Sequence, residues 1–286
     1  MSMSQPTVVI DAAKTDAVVF DMDGVVTQTA AVHAAAWTAL FNAYLAEVAR
    51  RGGVTASGPA GASGGAAAGG AVASGGAAAR GGDSPQAASA PFSRSDYLRF
   101  VDGKPRYDGV RDFLASRGLS LPWGDPSDPP EAETVCGLGN RKDAYFHQLI
   151  AAQGVQPYPS TVALIGELKR AGVRVAVISA SKNTTKILEA AGVRDLFEAQ
   201  VDGEVAAALG LPGKPDPAVF IEAARRIGAA PDRAAVVEDA IAGVEAGRRG
   251  GFALVIGVDR GGNREALAAA GADAVVADLA EVRVGG

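Results

Sequence analysis

Cys136 is the only cysteine in the 286-residue chain. An intramolecular disulfide is thereby excluded, and a lone thiol suits a reducing compartment. Histidine is nearly as scarce, with His33 and His147 the whole supply. Too few nitrogen and sulfur ligands remain for a zinc site. Long apolar runs are missing as well: without a stretch of ~18 apolar residues no transmembrane helix is expected. The first residues, MSMSQPTVVIDAAK, lack the basic start and apolar core of a secretory signal. There is no basic excess either. Against 27 lysines and arginines stand 32 aspartates and glutamates, a formal charge of −5, which argues against an electrostatic nucleic-acid binder. These absences leave a soluble cytoplasmic protein as the expectation.

One segment lacks nearly all large apolar residues. Residues 52–90 contain GASGGAAAGGAVASGGAAARGG, too little apolar surface to offset the entropy of ordering. The composition predicts a disordered linker or loop. A glycine-rich phosphate loop is the rival reading, but such loops are short, follow a strand and usually carry a lysine. This one has Arg80 alone.

What is present is regular. Ala30–Arg50 places Trp37, Leu40, Phe41, Tyr44, Leu45 and Val48 at helical spacing. Short helices are predicted over 93–100, 110–117 and 140–153. From residue 173 strands and helices alternate: strands at 173–178, 234–237, 253–258 and 274–276, helices at 184–191, 216–227, 240–249 and 264–270. Alternation of this kind implies a parallel sheet covered on both faces. An earlier strand, Ala17-Val18-Val19-Phe20, precedes the helical stretch. The expected organisation is an α/β core of doubly wound, Rossmann-like type, made from residues 1–29 and 157–286. An all-helical cap at 30–156 interrupts it and contains the 52–90 insert. At 286 residues with 48% hydrophobic composition the chain can bury such a core.

The strand ends carry the chemistry. The first runs into Asp21-Met22-Asp23-Gly24, and ligands of open α/β sheets bind at the carboxyl edge. Asp and Gly also form ordinary turns, so this pair alone does not decide. The strand VRVAVI runs into Ser179-Ala180-Ser181-Lys182-Asn183, a candidate phosphate cradle at a helix start. An N-capping turn through Ser181 or Asn183 is the alternative there. The strand AAVV ends in Glu238-Asp239. Adjacent carboxylates at a buried edge are costly without a cation, and an all-oxygen set suits Mg²⁺. Gly213-Lys214-Pro215-Asp216-Pro217 fixes one lysine in a non-helical turn, where it could neutralise a phosphoryl group.

In this order FDMDGVVTQTA, ISASKN, GKPDP and VEDAIAGVEAG resemble the haloacid dehalogenase-like superfamily, and within it the β-phosphoglucomutase branch. The resemblance spans residues 16 to about 260, leaving out the insert. It implies that Asp21 is a nucleophile forming an aspartyl phosphate and Asp23 a general acid/base. It assigns Mg²⁺ to Asp21, the carbonyl of Asp23 and Asp239, with Glu238 adjacent. Ser179 would bind the transferring phosphoryl group, beside Ala180, Ser181, Lys182 and Asn183, and Lys214 would balance its charge. Thr29 and His33 match positions near the core–cap junction, with Lys142 the partner of His33. A cap arginine should grip the distal phosphate: Gly109-Val110-Arg111 looks like that loop with one residue missing, and Arg106 is a rival.

The resemblance thus implies a monomeric β-phosphoglucomutase acting on a small phosphosugar, with glucose 1,6-bisphosphate as intermediate and no nucleic-acid or membrane partner. A sugar-phosphate phosphatase is the alternative. A non-catalytic phosphosugar-binding regulator is the third, disfavoured because Asp21, Asp23 and Asp239 are all present.

Overall fold

A computed structural model describes residues 8–51 and 90–286; the expected insert lies outside them, save Ala90. Among the described residues, six strands form one parallel sheet in the order β4-β3-β2-β5-β6-β7. They are β2 (Ala17–Asp21), β3 (Arg174–Ile178), β4 (Ala199–Val201), β5 (Ala234–Glu238), β6 (Leu254–Val258) and β7 (Ala274–Val276). The strand of this sheet that comes first in the chain is central: β2 is flanked by β3 and β5, and its five residues are all buried. Its side chains alternate between faces, as the two-residue strand period requires. Val18 and Phe20 join one core with Leu164, Ile165, Val175 and Val177. Ala17 and Val19 join the other with Val219, Phe220, Ala223 and Val236.

Helices cover both faces: α4 (Pro159–Arg170), α5 (Thr184–Ala190), α6 (Gly203–Leu209), α7 (Ala218–Arg226), α8 (Ile241–Arg249) and α9 (Arg264–Ala269). The cap comprises α1 (Ala30–Arg50), α2 (Arg106–Ser116) and α3 (Val135–Gln153), plus a helical turn at Arg94–Asp96 that widens into a π-helix over Tyr97–Val101. Its own core is aromatic, with Trp37, Phe41, Phe92 and Phe113 packed together. Among the described residues no helix is long and apolar enough to cross a membrane.

The differences from the sequence reading have local causes. The helix expected from residue 140 starts at Val135, because Thr134 caps it by accepting from the Gly137 N–H. Gly137 and Gly139 obscure that first turn in the sequence. The helix expected from Asp216 starts at Ala218, since the Asp216 carboxylate accepts the Ala218 N–H and holds the preceding turn. The strand pair β1 (Val8–Asp11) and β8 (Val282–Gly285) joins opposite ends of the chain in parallel, and neither run shows a partner locally. Helices α4 and α6 and strand β4 were likewise not anticipated. The segment Gly109-Val110-Arg111 is not a loop but the middle of α2.

Candidate active site

The site lies at the carboxyl edge of β2, β3 and β5. Asp21 ends β2, and the chain then turns back through Asp23 and Gly24, whose N–H donates to the Thr27 carbonyl at 2.8 Å. Gly24 has φ +90°, and a Cβ there would fall 1.9 Å from a carboxylate oxygen of Asp239. Glycine is required twice over, by backbone conformation and by the close approach of β5's end.

Lys214 occupies the centre. Its ammonium donates to Asp21 Oδ1 and Glu238 Oε1, both at 2.5 Å, and its side chain is only 3% exposed. The other Glu238 oxygen accepts the N–H groups of Asp239, at 2.6 Å, and Ala240, at 3.1 Å. The Lys214–Pro215 peptide is cis. Burial opposes the lysine's charge, but Asp21 and Glu238 overcome it and raise its pKa. One cation faces more than one anion, and carboxylate oxygens of Asp21, Glu238 and Asp239 lie within 4.8 Å of one another. Burial and the Glu238 charge push both Asp21 and Asp239 well above the ordinary carboxylate range. Uncompensated negative charge in an all-oxygen cluster fits a hard divalent cation. Lys214→Ala should destabilise the free protein by about 3–5 kcal/mol, because it strips buried carboxylates of their counter-ion. Urea unfolding at neutral pH checks this; a change below about 1 kcal/mol would mean that shared protons already neutralise the cluster.

Asp23 has different company. Thr29 Oγ1 donates to Asp23 Oδ1, and Ser179 Oγ donates to Oδ2 at 3.2 Å. His33 Nε2 lies 3.3 Å from Oδ1. Behind the imidazole, Lys142 Nζ donates to Nδ1 at 2.6 Å. With the ammonium of Lys142 as donor, the ring proton sits on Nε2, toward Asp23. Burial works against ionisation of Asp23, yet His33, Thr29 and Lys142 outweigh it and hold the carboxyl at about 2. Burial and the Arg106 charge bring Lys142 down to about 7, and burial and Lys142 lower His33. Asp23 is therefore an ionised base in the free protein, aligned by a chain of side chains from the cap.

The strand-end loop after β3 joins these groups. Ser179 Oγ accepts the Ser181 N–H at 3.0 Å, and Ser181 Oγ accepts the Asn183 N–H at 3.0 Å. Ala180 and Ser181 line the cavity between core and cap, while Lys182 lines the adjoining cleft. Asn183 Nδ2 donates to Asp143 Oδ1 at 3.0 Å, and the same oxygen accepts from Arg106 at 2.7 Å. Asp143 thus ties the cap to the core beside the cavity.

Arg111 is not brought to this site. Its side chain is 53% exposed, pairs with Asp108 and Asp112, and lies over the Trp123 ring. Gly109 and Val110 are buried in α2, with Gly109 against Val101. Five residues along a helix rotate a side chain by about 140°. Arg106 at the start of α2 therefore faces the cavity and Arg111 faces solvent. The cavity also gathers Trp37, Tyr97, Asp102 and Lys104, none of which the sequence reading had singled out as functional. The charged run Asp102-Gly103-Lys104-Pro105-Arg106 was the available signal.

The model of the haloacid dehalogenase-like hydrolases matches residues 15–251. A β-phosphoglucomutase of Mycobacterium tuberculosis is 42% identical over 274 residues, 94% of this chain and 92% of that protein. A trehalose-phosphate phosphatase of Mycobacterium leprae is 39% identical over 148 residues, covering 50% of this chain and 33% of that protein. The crystal structure of a β-phosphoglucomutase from Clostridium difficile superposes with a TM-score of 0.62 at 21% identity, over 93% of this chain and 92% of that one. The chain belongs to the haloacid dehalogenase-like hydrolase family of phosphotransferases and hydrolases, in its β-phosphoglucomutase branch.

Proposed function

We propose that the protein is a β-phosphoglucomutase that interconverts β-D-glucose 1-phosphate and glucose 6-phosphate. The observation that carries this reading is a cavity lined by charged groups from both core and cap. Asp21, Lys214 and Asp23 converge from the core, and Arg106 enters from the cap, with Lys142 reaching Asp23 through His33. A phosphatase needs one phosphate site, since water requires no anchor. A mutase needs two, because its bisphosphate must bind in both orientations.

In the proposed cycle Asp21 attacks the phosphoryl group of glucose 1,6-bisphosphate, giving an aspartyl phosphate and a sugar monophosphate. Carboxylate nucleophiles divide a difficult transfer into two easier ones. Asp23, after taking a proton from the attacking sugar hydroxyl, is the acid that returns one to the leaving oxygen. Ser179 and Lys214 bind and neutralise the group in transit. Mg²⁺ would be held by Asp21, Asp239 and the Asp23 carbonyl, with Glu238 adjacent, and would supply further neutralisation of phosphate charge. The cap excludes water from the acyl phosphate. We place this activity in the cytoplasm, in a monomer that takes a free phosphosugar and engages neither nucleic acid nor membrane.

Hydrolysis of a sugar phosphate is the second reading, favoured by the partial match to trehalose-phosphate phosphatase. The two are separated by supplying β-glucose 1-phosphate, Mg²⁺ and a trace of bisphosphate, and following glucose 6-phosphate and free phosphate together. Glucose 6-phosphate should dominate by a wide margin. Stoichiometric phosphate without glucose 6-phosphate would establish the phosphatase instead. Arg106→Ala should lower mutase turnover by roughly 10- to 100-fold, the range for a lost charged hydrogen bond. Arg111→Ala should leave it within about twofold, because that side chain is already satisfied at the surface.

A further inference from the structure

The cavity is not cationic throughout. Tyr97 and Asp102 line it from the cap, as Arg106 and Lys142 do. Tyr97, at the start of the π-helix, lines the cavity beside Asp102. Asp102 closes the π-helix, where its N–H donates to the Tyr97 carbonyl at 3.0 Å, and is followed by Gly103 at φ +69°. A Cβ at Gly103 would come 2.9 Å from the Ala240 Cβ and 3.8 Å from Lys214 Cδ. The turn therefore presses on the core beside the central lysine, and only a residue without a side chain allows it to come so near.

The neighbouring cap charges have other partners. Lys104 pairs with Asp112 at 3.2 Å, and Arg106 with Asp143 at 2.7 Å. Asp102 makes no ion pair among the described residues. A carboxylate accepts through two oxygens and about four lone pairs, and that capacity is open to the cavity. Burial and the nearby Glu238 charge, with Tyr97 pulling the other way, bring its carboxyl up to about 7. In its ionised form it would repel a phosphate. A neutral sugar hydroxyl would donate a charge-assisted hydrogen bond.

We propose that Asp102, held by the turn that Gly103 seats against Ala240, is a specificity-determining residue that accepts a hydrogen bond from one ring hydroxyl of the phosphosugar. The inference rests on the proposed sugar-phosphate activity but not on which product forms, because mutase and phosphatase both seat the ring.

The test pairs Asp102→Leu and Asp102→Asn with the 2-, 3- and 4-deoxy analogues of β-glucose 1-phosphate. The readout is whichever product the wild-type protein forms, so failure of the mutase reading leaves it intact. Asp102→Leu should lower kcat/KM by about 10- to 100-fold, the range for a lost charged hydrogen bond, and Asp102→Asn by less. One deoxy analogue should cost the wild type a similar factor, because a site built for a hydroxyl rejects a ligand without it. That analogue should cost Asp102→Leu nothing more, since residues in direct contact give non-additive losses. Discharge of acetyl phosphate, which has no ring, should stay within about twofold, as should the affinity for Mn²⁺ measured by electron paramagnetic resonance. Equal loss of acetyl phosphate turnover, weakened Mn²⁺ binding, or additive losses with every analogue would overturn the proposal.

Discussion

Asp21→Asn should abolish phosphoryl transfer, lowering turnover by at least about 10⁴-fold, while the protein stays folded. An amide oxygen is a poor nucleophile and cannot carry the acyl phosphate, so no other carboxylate nearby substitutes. Glu238 is occupied on both oxygens, by Lys214 and by two backbone N–H groups. The fold survives because the replacement is isosteric and relieves crowding among Asp21, Glu238 and Asp239. Turnover of β-glucose 1-phosphate and trapping of a phosphorylated protein from acetyl phosphate are the two measurements. A residual rate above about a thousandth of wild type, with contamination excluded, would remove Asp21 from the nucleophile's role.

Asp23→Ala separates two leaving groups. Discharge of glucose 1,6-bisphosphate should fall by roughly 10²- to 10⁴-fold, the usual contribution of general acid–base catalysis. Acetyl phosphate should fall far less, because acetate leaves without a proton. The environment of Asp23 supports this division of labour. Its oxygens are fixed by Thr29, Ser179 and His33, and none is bound by Lys214. Its carboxyl at about 2 is a base in the free protein and becomes an acid only by capturing a substrate proton. The sign of the pH effect follows: the base form is lost as pH falls through about 2, so the acidic limb of kcat/KM should not arise from Asp23. An ordinary limb near pH 4 that disappears in Asp23→Ala would contradict that account. Equal losses on both phosphoryl donors would make Asp23 a metal or structural residue.

The sequence by itself determined the α/β core and most of the residues that its strands deliver. Asp21, Ser179, Glu238 and Asp239 were legible because each ends or follows a short apolar run, and a parallel sheet brings such ends to one edge. Lys214 was legible as a fixed cation, but its place between Asp21 and Glu238 depends on contacts spanning 193 and 24 residues. The cap was only half readable. Helical spacing located both ends of α1, whereas the arginine facing the cavity depends on where α2 begins. That point is set by Pro105 and the turn at Gly103, not by apolar periodicity. The same reason hid Tyr97 and Asp102. Their chemistry appears only once the cap lies against Ala240 and Lys214, a contact between segments more than a hundred residues apart. Local pattern records which residues end a strand; only the tertiary structure decides what a cap side chain faces, because packing of two separate cores sets that distance.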